Sequence, residues 1–407
     1  MANAYTDTGA SSLGGTTGGA GLVQKAYDRL LEFALRSEPL LRSVADKRPA
    51  RQAFPGSTVV LQRYVDLDQK TSTLSETTDP DAVALSTPTS VTITLNEYGN
   101  AVLVTRALEL FSLADVDPAI ANIIAYNLAD SIDAVVSSTL TGGTNVIYGG
   151  SRTSTATITA SDTIHSADIR KAVAKLRANK AKARRGSYYW CGIHPEVSHD
   201  LRAESGNLGW NFVHAQSAPA VDNIWAGEIG DYEGAFFVES SRIPSAKNGA
   251  DQSALATTTA TVAGTSAGFT IGVASSSVIA SRAEVGDKIA ATGIASGALI
   301  SAISTTGSTT TITVNTANTA AVTVGATVTV TPVTRVFDTL LCGQQAIAEA
   351  VAEEPHIVIG NVTDKLMRFR PMGWYGVLGF ARYREEALYR IETEKPSIRE
   401  ITLCLWI

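Results

Sequence analysis

Residues 117–140, "DPAIANIIAYNLADSIDAVVSSTL", constrain the fold more than any other stretch. Ile120, Ile124, Leu128, Ile132 and Val136 recur at every fourth position, and Ile123, Val135 and Leu140 widen the stripe. That period belongs to a helix with one apolar face. Asp117 as N-cap and Pro118 at the first helical position open it, and the Thr141-Gly142-Gly143 run closes it. The segment before it, "TSVTITLNEYGNAVLVTRALEL" at 89–110, keeps a different rhythm. Val91, Ile93 and Leu95 alternate with Thr92, Thr94 and Asn96, the signature of a strand with one dry face. Ala101–Thr105 is a second strand-like run that then turns toward helix. The fold class expected is α+β.

Residues 57–65, "STVVLQRYV", predict a partner strand with Val59, Leu61 and Val65 on one side. Between the two strands lies a polar, acidic excursion carrying Asp66, Asp68, Glu76, Asp79 and Asp81. Strands joined this way make an extended hairpin, which is marginal in water by itself. Connections of this length are functional or disordered. Two readings stand: a surface loop, or a projecting hairpin stabilised by lying on another subunit. Upstream, residues 1–21 are Gly, Ser, Thr and Ala with little to bury, and a flexible arm is expected. From Leu22, a helical face of Leu22, Ala26, Leu30 and Phe33 runs to Pro39 and must pack on its own body or on a neighbour.

Further along, a helix is expected at 166–183 with Ile169, Val173 and Leu176 inward. "SYYWCGI" reads as a buried strand, His194-Pro195 opens a short helix, and Ala235–Val238 is a strand. Residues 250–333 are almost entirely Ala, Thr, Ser, Gly and Val, with short β-branched runs between Gly turns, which predicts a small all-β insert. After Arg335 the texture predicts strand, helix, strand. Three strand-like runs end the sequence, the last on Leu403-Cys404-Leu405-Trp406-Ile407. Such apolar area is covered at a gain of about 25 cal/mol per Å², so this run belongs in a sheet or an interface.

Chemistry is sparse. The two histidines of "HPEVSH" are five apart and fall on different helix faces, with Pro195 between them. Gly264-Thr265-Ser266-Ala267-Gly268 matches a nucleophile-elbow pattern but lies in a tract where such matches arise by chance. Glu353-Glu354 reads as the solvated end of a helix. Cys191, Cys342 and Cys404 are odd in number and widely spaced, which fits neither a disulfide framework nor a zinc site, and a reducing compartment is expected. No catalytic residue, metal or cofactor is assigned. No signal peptide and no membrane-spanning run is visible, and no membrane partner is expected. A net charge of −6 argues against a nucleic-acid glove. The exception is local: Arg170, Lys171, Lys175, Arg177, Lys180, Lys182, Arg184 and Arg185 are uninterrupted by any acid. They form a solvated face, a contact for the acidic hairpin of a neighbouring copy, or a nucleic-acid contact. Base stacking would require aromatic residues among them, and there are none.

The order of elements, with "VTITLNEYGNAVLVTRALEL" followed by "DPAIANIIAYNLADSIDAVVSSTL", resembles the major capsid protein of tailed bacteriophages. That is the Hong Kong ninety-seven fold shared with herpesvirus shells and encapsulins, and within it the chain is similar to the Enquatrovirus-type podophage coat proteins. The resemblance covers most of 20–245 and 335–407. It implies an N-terminal arm and helix at 1–55, an extended E-loop hairpin at 56–98, and a P-domain at 99–160 with its spine helix at 117–140. It further implies an A-domain at 161–249 and 334–370, interrupted by the 250–333 insert on the outer surface, and C-terminal strands at 371–407 returning to the P-domain. The function implied is a non-enzymatic coat protein that forms hexamers and pentamers of itself in an icosahedral shell. The shell would enclose double-stranded DNA without sequence-specific binding and be assembled in the host cytoplasm as the virion capsid. No helical scaffold segment precedes the arm, so scaffolding, like portal and decoration proteins, would be a separate partner. The inter-subunit contacts expected are Leu22, Leu30, Phe33, Asp66, Asp68, Glu76, Asp79, Asp81, Arg177, Lys180, Arg184, Arg185 and Trp406. The alternatives are an encapsulin-like nanocompartment shell and, from another class, a β-rich bacterial surface or adhesive protein.

Overall fold

The computed structural model describes residues 39–49, 58–74, 76–77, 82–107, 116–204, 230–360, 366 and 368–394. The amphipathic helix expected from Leu22 and the final apolar run fall outside them. The chain divides into two compact units. One holds Gly99–Leu128 and Pro355–Tyr375 among its described residues, and the other holds the rest.

Helix α1, Val116–Thr141, is the helix the four-residue stripe predicts. Ile124, Ile132, Val136 and Leu140 are buried along it, whereas Ile123, expected to widen the stripe, is exposed. In the first unit, two glycines let strands pass at close range. A Cβ at Gly99 would lie 2.8 Å from the Trp374 carbonyl oxygen, and one at Gly373 would lie 2.5 Å from that of Asn100. The buried Trp374 donates its indole N–H to Asn127 Oδ1 at 2.9 Å, which joins strand to helix.

The second unit is built on a seven-stranded sheet. Its order is Val146–Tyr148, Leu388–Glu394, Val333–Cys342, Tyr189–Ile193, Ala235–Glu239 and Asp231–Tyr232, with Ser245–Asp251 also pairing along Val333–Cys342. Tyr189–Ile193 is buried at every residue, as a strand covered on both faces must be. Helix α2, Ser166–Ala178, lays Ile169, Val173 and Leu176 on the sheet, and α3, Pro195–Ala203, adds Val197 and Leu201. Helix α2 stops short of the expected 183 because Asn179 caps it and Lys180 takes a left-handed φ of 56°.

Strands between Thr258 and Thr331 make a separate six-stranded sheet. Ile271, Val273, Ile279, Ile312, Val314, Val328 and Val330 form its own apolar core. The tract is β-structured as expected, except for one short helix, Val278–Arg282, which contributes Ile279 to the same core.

One element differs in kind from expectation. The helix expected between the two strands after Arg335 is absent: Ile347–Ile359 is a strand. Ala, Gln and Glu favour helix weakly, and that preference yields to tertiary pairing. Here Asp46–Pro49 pairs in parallel with Ala348–Val351, and Glu349 is buried against Arg42. Glu353-Glu354 therefore ends no helix.

Candidate assembly surface

Thr58–Arg63 and Thr89–Thr94 form a two-stranded antiparallel ladder, in register from Thr58↔Thr94 to Arg63↔Thr89. Burial alternates along the first strand, so Val59 and Leu61 face inward. They pack with Ile93 on Ala348 and Ala350. A Cβ at Gly379 would collide with the Thr94 carbonyl, so glycine there lets the strand beneath approach the hairpin root. The root is a small, well-made contact.

Beyond Arg63 the character changes. The described residues of 64–87 are exposed throughout and carry no strand. Val60, Tyr64, Val65, Leu67, Leu74, Val83 and Leu85 are each at least 50% exposed. Covering any one of them gains on the order of 1–2 kcal/mol. Exposed apolar side chains concentrated on one segment are the kind of surface that partners cover. Asp66, Asp68 and Glu76 are exposed among them, while Asp79 and Asp81 lie outside the described residues.

Two ion-paired anchors flank this region. At the hairpin root, Arg63 places its guanidinium against both oxygens of Glu386, at 3.0 Å each. Those hydrogen bonds hold the Glu386 carboxyl below its usual range and raise Arg63. At Leu41–Val44, where the described chain begins, the buried Asp133 of α1 accepts the backbone N–H groups of Leu41 (2.7 Å) and Arg42 (3.2 Å) and the Nε–H of Arg242 (2.8 Å). A carboxylate thus caps a 3-10 turn whose own N-cap, Leu40, has no side chain able to do it. Arg42 continues the network to Glu349 and Glu354, and Lys47 joins Glu354 at 3.0 Å. Burial pulls Arg42 down, but its two carboxylate partners outweigh that and hold it above its ordinary value. Arg42 and Lys47 in turn depress Glu354.

The basic run is partly consumed within its own chain. Arg170 pairs with Glu233 at 2.9 Å, Lys175 lies over the Tyr389 ring, and Arg185 lies over Phe236 at 5.9 Å. Arg184 donates to the Ser43 carbonyl and reaches Asp46 at 3.4 Å. Arg177 is exposed and borders Gly234, and Lys180 is exposed beside the hairpin root, lining a groove with Tyr64, Asp66 and Arg384. Leu22, Leu30, Phe33 and Trp406 lie outside the described residues.

Neither sequence motif with a chemical look assembles a site. His194 caps α3 by accepting the Glu196 N–H at 3.2 Å, while His199 is exposed beside Asp200. Gly264 pairs with Val322, and Thr265–Gly268 closes a turn within the insert. Among the described residues no group of His, Cys, Asp and Glu is arranged to hold a metal ion, and no helix is long and apolar enough to cross a membrane.

Sequence reasoning missed both anchors. A signal existed for one of them: Asp133 stands beside Ile132 in the apolar stripe, and a buried acid demands partners. Nothing in the sequence pairs Arg63 with Glu386.

A family model described as phage capsid protein matches residues 44–391. Among solved structures, the capsid of Ralstonia phage GP4 is similar at a TM-score of 0.58 and 13% identity, over 94% of this chain and 98% of that one. The capsid of cyanophage Pam1 gives 0.57 at 12% identity, over 93% and 98%. A chain from Mycobacterium phage Che8 gives 0.53 at 13% identity, over 91% and 96%. At such identity the likeness is one of fold. No curated protein matches the chain by sequence.

Proposed function

The chain belongs to the phage capsid protein family, and we propose from that premise that it is the major coat subunit of a tailed bacteriophage, completed by identical copies around it. Its fold is the Hong Kong ninety-seven capsid fold that the resemblance implied. The protein is structural rather than enzymatic, self-assembles into a shell and resides in the virion capsid.

The observation that carries this reading is the exposed, apolar-studded segment beyond Arg63. A subunit that leaves this surface bare is unfinished alone. Stable subunit contacts bury about 800 Å² per partner, and a projecting hairpin supplies such area without enlarging the core. Repetition around a closed shell lets each contact be weak.

The finer assignments belong to the same proposal. Residues 1–55 serve as arm, 56–98 as E-loop, 99–160 as P-domain, and 161–249 with 334–370 as A-domain. Residues 250–333 project outward, and 371–407 return to the P-domain. Copies form hexamers and pentamers in the host cytoplasm around double-stranded DNA that the acidic subunit confines without gripping. Scaffolding, portal and decoration proteins are possible further partners of the shell. The narrower Enquatrovirus-type relationship rests on the quoted segments alone. Hairpin acids Asp66, Asp68, Glu76, Asp79 and Asp81 meet Arg177, Lys180, Arg184 and Arg185 of a neighbour, with Leu22, Leu30, Phe33 and Trp406 as further contacts.

The test is electron microscopy with sedimentation of the purified full-length chain. Closed particles of uniform diameter are expected, and a monodisperse monomer at high concentration would overturn the proposal. Double-stranded DNA inside native particles separates a virion from an enzyme-filled compartment.

A further inference from the structure

We propose that Arg63 and Glu386 are the positioning pair of the hairpin, fixing the direction in which residues 64–88 leave the subunit. This rests on the reading that the hairpin reaches a neighbour, and adds how it is aimed.

The pair stands at the last rung of the ladder, Arg63↔Thr89. Beyond it the described residues carry no strand, so the ladder pairing that could fix direction ends there. Legs of this length reach about 40 Å when extended, and a small angular error at the root becomes a large displacement at the tip.

The contact suits an aiming role. Nη1 meets Oε2 and Nη2 meets Oε1, so the planar fork fixes orientation as well as distance. The receiving carboxylate also has a stiff mount. Glu386 sits in the 3-10 turn Glu385–Ala387. Glu385 accepts the Arg382 Nε–H at 2.9 Å, its carbonyl accepts the Asn145 amide at 2.7 Å, and Ala387 is buried. Stability alone does not account for the pair. Both side chains are at least one-third exposed, at 33% and 49%, and exposed ion pairs contribute little to folding. A two-point contact that adds little stability yet sits where the ladder ends is placed to set an angle.

The experiment reads direction in the unassembled full-length subunit. Spin labels at Gln69→Cys and Ser161→Cys, both exposed, report the distance across the root by pulsed electron resonance. Cys404→Ser removes one native thiol, and Cys191 and Cys342 are buried. Glu386→Gln removes the charge, and Arg63→Lys keeps the charge but loses the fork. Each is expected to broaden the distance distribution at least about twofold, with the melting temperature held within about 2 °C. The exchange Arg63→Glu with Glu386→Arg is expected to narrow it again. Unchanged widths in both single variants overturn the proposal. So does a fall in melting temperature above about 5 °C, which assigns the pair to stability. Because the distance is read before assembly, failure of the parent chain to form shells counts against the proposed function and leaves this result standing.

Discussion

The hairpin at 58–94 and the sheet between Thr258 and Thr331 are both Thr-rich, β-branched and nearly free of aromatic residues, yet they end in opposite states. The six-stranded sheet turns most of its Ile and Val inward onto one another and buries them, although Val262, Val285 and Val324 stay exposed. The hairpin has two strands, shares its few inward residues with the strands below, and shows most of its large apolar side chains to solvent. Similar composition therefore serves two purposes. One region satisfies itself, and the other is left open for a partner. The function proposed above assigns the work of assembly to the open region and predicts that the shell can lose the closed one.

The sharpest way to break this contrast is to delete residues 68–86. Shell formation should fall by roughly a hundredfold or more, because each copy loses a contact that closure multiplies. The subunit should still unfold cooperatively, at a midpoint within about 3 °C of the parent. Particle counts in micrographs and a calorimetric scan measure the two effects. Normal shells from the deleted chain would mean the exposed side chains do no assembly work.

How much of this was legible in the sequence follows from how local each signal was. The Ile120–Leu140 stripe specifies α1 because neighbours one turn apart decide its face. The tract from 258 shows its strands through β-branched density and glycine turns. The stretch read as the middle helix after Arg335 misleads because its Ala, Gln and Glu favour helix locally. The parallel partner at Asp46–Pro49 and the Arg42 side chain that make it a strand come from three hundred positions away. The site divides in the same manner. The acids of the hairpin could be read as exposed, whereas Arg63 and Glu386 are 323 residues apart and Asp133 and Arg242 are 109 apart. Arg184, proposed as a contact to a neighbour, also donates to the Ser43 carbonyl of its own chain, 141 positions away, a pairing that no local signal shows.

A smaller effect sharpens the comparison by locating where pH acts. Asp338 lies in Val333–Cys342, the strand from which the insert departs, opposite Glu392 and 3.6 Å from Arg390. Burial raises its carboxyl from 3.8 to about 7; Arg390 opposes the shift and Glu392 adds to it. The folded state therefore holds this proton more tightly than the unfolded chain does. Stability is full below the unfolded value and declines as pH rises through about 7. Asp338→Asn should stabilise the subunit by on the order of 4 kcal/mol at pH 9 and by about a third of that at pH 5. Urea denaturation at the two pH values measures it. An equal gain at both would mean that packing, rather than charge, sets the cost. Neither hairpin nor insert should change its behaviour with this substitution, since Asp338 belongs to the seven-stranded sheet and to neither of them.

The smallest effect comes from removing the insert, and one lysine decides how small. The two ends of the tract meet: Asp251 is in register with Val333, and the Gln252 N–H donates to the Pro332 carbonyl at 2.8 Å. A short turn can therefore replace 252–332 without moving the host strands. The excision also removes Asp287, which accepts from Lys247 Nζ and from the Val333 N–H, and Glu284, which pairs with the same lysine at 3.2 Å. Lys247 is 8% exposed with the insert in place, packed against Gly286 as well as its two acids. Excision strips the lysine's partners and its cover together, so the charge returns to water and costs little. The unfolding free energy should therefore stay within about 1 kcal/mol of the parent, with shells closing at the parental yield. A larger loss would mean that the insert supports the sheet through more than this neck, and the view of it as a self-sufficient addition fails.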